Sequence, residues 1–127
     1  MSSTQLGRVQ LLIMQVLWSR SQATAREITD AINEQEAIAH STVQTLLRGL
    51  EEKLAVDHRA QGRTFVFFPL VEEADFKSSV AHDLLTRVFR GRAGDLVAHL
   101  LADEAVSHDE LAEIRKLISR SAKRGKK

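Results

Sequence analysis

The sequence predicts a mostly α chain in two parts: three helices closed by a small β-hairpin, then a second part that is wholly helical. Three observations predict it. Apolar residues recur at helical spacing in three separate segments between Leu6 and Lys53. The period then changes to two, with Phe65 and Phe67 on one strand face next to the turn residue Gly62. Pro69, the only proline, follows at once, and helical spacing returns from Phe76 onward.

The first helix is expected from Leu6 to Ser19. Leu6, Val9, Ile13, Val16 and Leu17 form one stripe, and Leu12, Met14 and Trp18 widen it over most of the circumference, as in a central, buried helix. Thr24-Ala25-Arg26-Glu27 has the spacing of a capping box, in which a hydroxyl and a carboxylate satisfy the first free N–H groups reciprocally. It opens a second helix, Ala25 to Glu34, with Ile28 and Ile32 inward. Ser41-Thr42-Val43-Gln44 is box-like too and opens a third helix running to Lys53. In HSTVQTLLRGLEEKL, Val43, Leu46, Leu47, Leu50 and Leu54 share the apolar face.

Val56 to Arg59 and Thr64 to Phe68 read as strands joined through Ala60-Gln61-Gly62-Arg63, with Gly62 taking the positive φ a tight turn needs. Pro69 stops the second strand. Further on, Phe76, Val80, Leu84 and Val88 recur every four residues, with Ala81, Leu85 and Phe89 alongside. Gly91 and Gly94 read as turns, before a short helix through Leu96, Val97, Leu100 and Leu101. Ser107-His108-Asp109-Glu110 opens a last helix carrying Leu111, Ile114, Leu117 and Ile118. The expected domains are residues 1–70, residues 71–121 and a disordered basic tail, 122–127.

Bulk properties exclude several classes. With 127 residues, 43% hydrophobic and 28% charged, the chain is an ordinary globular protein. The longest apolar run near its start, Leu11-Leu12-Ile13-Met14, is far too short to span a membrane, and no charged n-region leads into an export signal. A cytoplasmic protein is expected. Without cysteine there is no disulfide, thiolate metal site or thiol chemistry. No Ser/His/Asp set, paired catalytic carboxylates or glycine-rich phosphate loop is present, so no enzyme and no cofactor are expected. His99 and Asp103 lie four apart, near His108 and Asp109, but scattered histidines on helices are common and no metal is expected.

Helix, helix, helix, hairpin is the layout of a winged helix-turn-helix. In that layout the third helix can enter the DNA major groove and the hairpin reaches the neighbouring backbone. The polar face of the third helix supplies the candidates. Gln44 suits adenine, Arg48 guanine or phosphate, and Thr42 or Thr45 a thymine methyl or phosphate. Backbone N–H groups near His40, Ser41 and Thr42 suit a phosphate. Arg59 and Arg63 flank the hairpin turn as backbone contacts. Charge balance favours a competitor. Residues 1–70 hold seven Lys/Arg against seven Asp/Glu, and 71–127 eleven against ten, for a net charge of +1. A winged-helix module whose third helix binds a protein would need no basic footprint.

The second part is too small to bury much of its own surface. Pairing with a second copy is expected to bury the stripes Phe76, Val80, Leu84, Val88 and Phe89, and Leu96, Leu100, Leu111, Ile114, Leu117 and Ile118. Such a helical dimerisation domain would hold two reading helices about 34–36 Å apart, one DNA turn, on a palindromic site.

With these features in order, residues Leu6 to Ser119 resemble the BlaI/MecI penicillinase-repressor family. The markers are Val16-Leu17-Trp18, Ser41-Thr42-Val43-Gln44-Thr45-Leu46-Leu47, Gly62-Arg63 with Phe65 to Phe68 and Pro69, and Phe89 with Gly91. The resemblance implies a bacterial homodimeric transcriptional repressor on double-stranded operator DNA, with Thr42, Gln44 and Thr45 at DNA-contacting positions. It also implies differences. Gly49 stands where the family often has arginine, which implies one DNA contact fewer. Leu54 stands where a glycine ends the recognition helix, and Gln44 where several members have arginine, which implies another operator preference. The family's best-known members are inactivated by a protease system that cuts an Asn-Phe bond. The aligned stretch here is Ala98-His99-Leu100, and the cysteines of copper-responsive relatives are absent. Cleavage within residues 95–105 is expected to relieve repression by an inducing protease.

Overall fold

The computed structural model describes residues 5–125. They form α1 (Arg8–Arg20), β1 (Ala23–Thr24), α2 (Ala25–Asn33), α3 (His40–Glu52), β2 (Val56–Gln61), β3 (Thr64–Pro69), α4 (Glu73–Asp83), a π-helical turn at Leu84–Val88, α5 (Ala93–Ala102) and α6 (His108–Gly125). Two compact units divide between Val80 and Ala81, inside α4.

In the first unit the three strands form an antiparallel sheet in the order β1-β3-β2. β2 and β3 are the expected hairpin, two residues longer in β2 than the sequence suggested, turning through Gly62 at φ +66°. β1 is an addition. Its two residues pair Ala23 with Phe67 and Thr24 with Val66, too short a run to carry a period. Thr24 also caps α2. Its hydroxyl accepts the Glu27 N–H at 3.1 Å while the Glu27 carboxylate accepts the Thr24 N–H at 2.8 Å, the predicted box.

The core is where the periodicities pointed. Ile13, Met14 and Leu17 of α1, Ile28 and Ile32 of α2, and Val43, Leu47 and Leu50 of α3 are buried against Val56 and Phe67. Leu46 is only partly covered. Trp18 donates its indole N–H to the Val71 carbonyl at 2.9 Å and packs on Phe76, centroids 5.4 Å apart. That fastens the start of α4 to α1.

Leu54 departs from the expected apolar face. It lies past the end of α3, is 72% exposed and sits at φ +62°. Its N–H donates to the Glu51 carbonyl at 3.0 Å and that of Ala55 to Leu50 at 2.9 Å, the paired bonds of a Schellman turn. The turn is thus the one a glycine would make, with a leucine held in the left-handed region. Leu54→Gly removes strain of about 1–2 kcal/mol and costs about 0.4–1 kcal/mol through the more flexible unfolded chain. A net gain of roughly 0.5 kcal/mol is expected in urea denaturation. A loss would show the side chain to be stabilising in place.

In the second unit Phe89 N–H bonds the Leu84 carbonyl at 3.2 Å, the wider π spacing, and Arg90 and Gly91 at positive φ turn the chain into α5. Gly94, read as a turn, lies within the first turn of α5 instead. Ser107 caps α6 by accepting the Glu110 N–H at 3.1 Å. α6 continues to Gly125, so 122–125, expected in a disordered tail, are helical; 126 and 127 lie outside the described residues. No residue from Ala81 to Gly125 is buried. Among the described residues no helix is long and apolar enough to cross a membrane.

Candidate nucleic-acid interface

What aims α3 is the junction before it. Asn33, at the end of α2, accepts the Ile38 N–H at 3.0 Å and donates to the carbonyls of Thr29 and Ile38 at 2.9 and 3.1 Å. A single amide side chain thereby closes the turn between the helices. The Thr29 hydroxyl donates to the Ala25 carbonyl at 2.8 Å, so it accepts from His40 Nδ1 at 3.0 Å. His40 is half-buried and fixed to α2. At the outer edge Arg8 grips the Glu36 carboxylate through both guanidinium nitrogens, at 2.9 and 2.7 Å. The Arg8 hydrogen bond holds Glu36 below the usual carboxylate range.

The box expected at Ser41 and Gln44 does not form. α3 begins one residue earlier, at His40, behind Ala39, which has no capping side chain. Freed of a capping role, Ser41, Thr42, Gln44, Thr45 and Arg48 are all exposed on one side of the helix while Val43, Leu47 and Leu50 are buried on the other. Among the described residues these five share one long side-chain bond, from Arg48 to the Thr45 hydroxyl at 3.4 Å. Position 49 points elsewhere. A Cβ on Gly49 would stand 3.1 Å from Gln10 Nε2 of α1, and Gln10 is held by the Gly7 N–H and by Lys53 Nζ at 3.1 and 3.0 Å. Gly49 therefore serves the approach of α3 to α1, and its lack of a side chain removes nothing from the polar face.

Between α3 and the hairpin runs a cleft of about 510 Å³. His40, Gln44 and Arg48 line one wall and Arg63, at the hairpin turn, lines the other. Arg26, in the first turn of α2, joins them. In the sequence Arg26 stands inside the Thr24–Glu27 capping box, and its positive charge is the signal that points to this role. Arg59 is not brought into this cleft. It alternates with His58 along β2, donates to the Gln22 side chain at 2.6 Å, and its guanidinium lies 5.9 Å from the Phe68 ring centroid. Glu51 lines the cleft as well and pairs with His58 of β2.

Of the residues expected to pair two copies, Phe76 is engaged by Trp18 within the first unit. Val80, Leu84, Val88, Leu100, Leu117 and Ile118 are 41–65% exposed. Phe89, Leu96, Leu111 and Ile114 are half-covered. His99 Nδ1 faces the Asp95 carbonyl at 2.9 Å.

Three helices, a three-stranded sheet ending in a hairpin wing, and an exposed polar helix face beside that wing define a winged helix-turn-helix protein. The chain matches the penicillinase repressor family over residues 6–120, and it belongs to that family. It is 27% identical to the penicillinase repressor of Bacillus licheniformis over 122 residues, covering 96% of this chain and 95% of that one. It is 28% identical over 108 residues to the methicillin resistance regulatory protein MecI of Staphylococcus aureus, covering 85% and 88%. Among solved structures it resembles Bacillus licheniformis BlaI, in monomeric form in complex with the blaP half-operator. That match has TM-score 0.50 and 30% identity over 58% of this chain and 90% of that one.

Proposed function

We propose that this chain is a DNA-binding transcriptional repressor that acts as a homodimer on a palindromic operator. The observation that carries the reading is the outward face Ser41, Thr42, Gln44, Thr45 and Arg48, uncapped and set beside Arg63 across an open cleft. In this reading the start of α3 enters the major groove, with Gln44 and Arg48 on base edges and Thr42 and Thr45 on methyl groups or phosphate. His40, Ser41 and the free helix start hold a phosphate. Arg63 takes the flanking backbone at the wing tip, and Arg59 lies further along β2. The solved relative, a monomer bound to a half-operator, supports a site built of two halves.

A second copy is the natural cover for the unit from Ala81 onward. Helices that leave Leu84, Val88, Leu117 and Ile118 this exposed, with nothing buried, gain little stability alone. Cleavage between residues 95 and 105, within α5 and the exposed stretch after it, relieves repression by separating the copies. A cut form that keeps full operator affinity would refute this.

Selection of bound DNA from a random pool tests the whole reading, with an inverted repeat as the expected product. Two variants then divide the contacts. Arg48→Ala costs about 1–3 kcal/mol and relaxes preference at one position of each half-site, whereas Arg63→Ala weakens all sequences alike. Equal losses on operator and random DNA for Arg48→Ala would remove it from base reading. The balanced charge of residues 1–70 favours the competing protein-interaction module, for which the selection yields no enriched sequence.

A further inference from the structure

We propose that Glu51, Asp57 and His58 form a site for a divalent transition-type cation such as Zn2+, clasping the C-terminal half of α3 to the first strand of the wing. One ligand atom from each of the three lies within 4.8 Å of the other two. Zinc bonds of about 2.0–2.1 Å to nitrogen and oxygen place neighbouring ligands about 3.4 Å apart, so small side-chain rotations close the set. Among the described residues no other group of three such side chains meets this spacing.

The donors converge for separate reasons. Glu51 stands on the last turn of α3, half-buried, and its carboxylate already meets His58 Nδ1. Asp57 precedes His58 on β2 and would point to the opposite sheet face. Its carboxylate instead curls along the strand to accept the His58 N–H at 2.8 Å, which brings it beside the imidazole. The ring itself is held by Phe65 and Phe67, with centroids 4.4 and 5.4 Å away. These contacts restrict rotation of the imidazole. One imidazole nitrogen and two carboxylate oxygens suit a four-coordinate zinc-like ion with water in the remaining position. Calcium would need more oxygen ligands than the site offers, and the imidazole nitrogen disfavours magnesium.

Such a cation changes the charge of the cleft. Of the two carboxylates Glu51 lines it, and a bound divalent ion offsets that negative charge. Because Glu51 shares the cleft with Arg48 and Arg63, a phosphate there would meet less repulsion. This consequence, unlike the site, rests on the DNA-binding reading.

The test uses the full chain, tag-free and stripped with chelator, titrated with Co2+ alone. One equivalent is expected, with the intense visible absorption of low-coordinate cobalt, displaced by Zn2+. Glu51→Gln and His58→Gln each weaken binding at least about tenfold. His99→Gln leaves it unchanged, and thermal melts without metal verify that all variants fold. Absent cobalt bands, or bands indifferent to both substitutions, would leave an ion pair only and overturn the site. In a second arm Zn2+ tightens binding to the selected DNA by roughly tenfold, the scale of one or two screened unit-charge contacts, in the parent chain and not in Glu51→Gln. Cobalt binding with no zinc effect on DNA overturns the coupling alone. Cobalt binding with no DNA binding at all overturns the repressor reading and leaves the site standing.

Discussion

Leu117→Glu combined with Ile118→Glu yields a monomer that binds a full palindrome about 100-fold or more weakly than the parent chain. Both residues are more than half exposed on α6, so carboxylates there meet water in a single chain and the first unit keeps its fold. Across a two-fold interface the same substitutions set four charges into an apolar contact and drive the copies apart. The loss on DNA then follows from linkage. In a dimer, binding of one reading helix presents the second at high effective concentration, worth about 10²–10⁴ in overall affinity. Affinity for an isolated half-site involves one copy and stays the same. Sedimentation measures the assembly state and a mobility-shift assay on whole and half sites measures the rest. A variant still dimeric, or one equally weakened on both DNAs, would place the interface elsewhere.

Raising salt from 50 to 200 mM should weaken operator binding by roughly 10³-fold or more. Each subunit brings Arg26 and Arg63 to the cleft for phosphate, together with the uncapped start of α3. Two subunits thus offer about six phosphate contacts, and six to ten such contacts lose about 10³–10⁵ over this range as condensed counterions are released. The balanced charge of the domain does not oppose this, because screening confines each cation to phosphates within about 10 Å. The acidic residues are placed accordingly: Glu36 is gripped by Arg8 at the outer edge, and Glu51 is paired with His58. A slope near zero would favour the protein-interaction reading, whose contacts release no counterions. Arg63→Ala should reduce the slope by about one contact per subunit.

How much of the interface could be read from the chain varies by residue. Thr42, Gln44, Thr45 and Arg48 were identifiable because the apolar period of α3 leaves them on the opposite side. Gly49 looked like their neighbour, yet faces α1, since its direction is set by where Gln10 meets it. Arg59 and Arg63 looked equivalent beside a turn. Strand alternation sends Arg59 to Phe68 and Gln22, away from the cleft that Arg63 lines. Arg26 enters only because β1 and α2 pack beside the hairpin.

The amino-acid sequence by itself determined the helices, the hairpin and the buried faces of α1, α2 and α3, because apolar period, capping residues and a lone proline act over a few neighbouring positions. It also carried the family, through motifs kept in order along the chain. Tertiary structure alone decided the two-residue strand β1, the left-handed Leu54 turn, the aim of Gly49 and Arg59, and the meeting of Glu51 with His58. Each of these depends on how separate elements dock, and no local pattern records the distance between residues that only folding brings together.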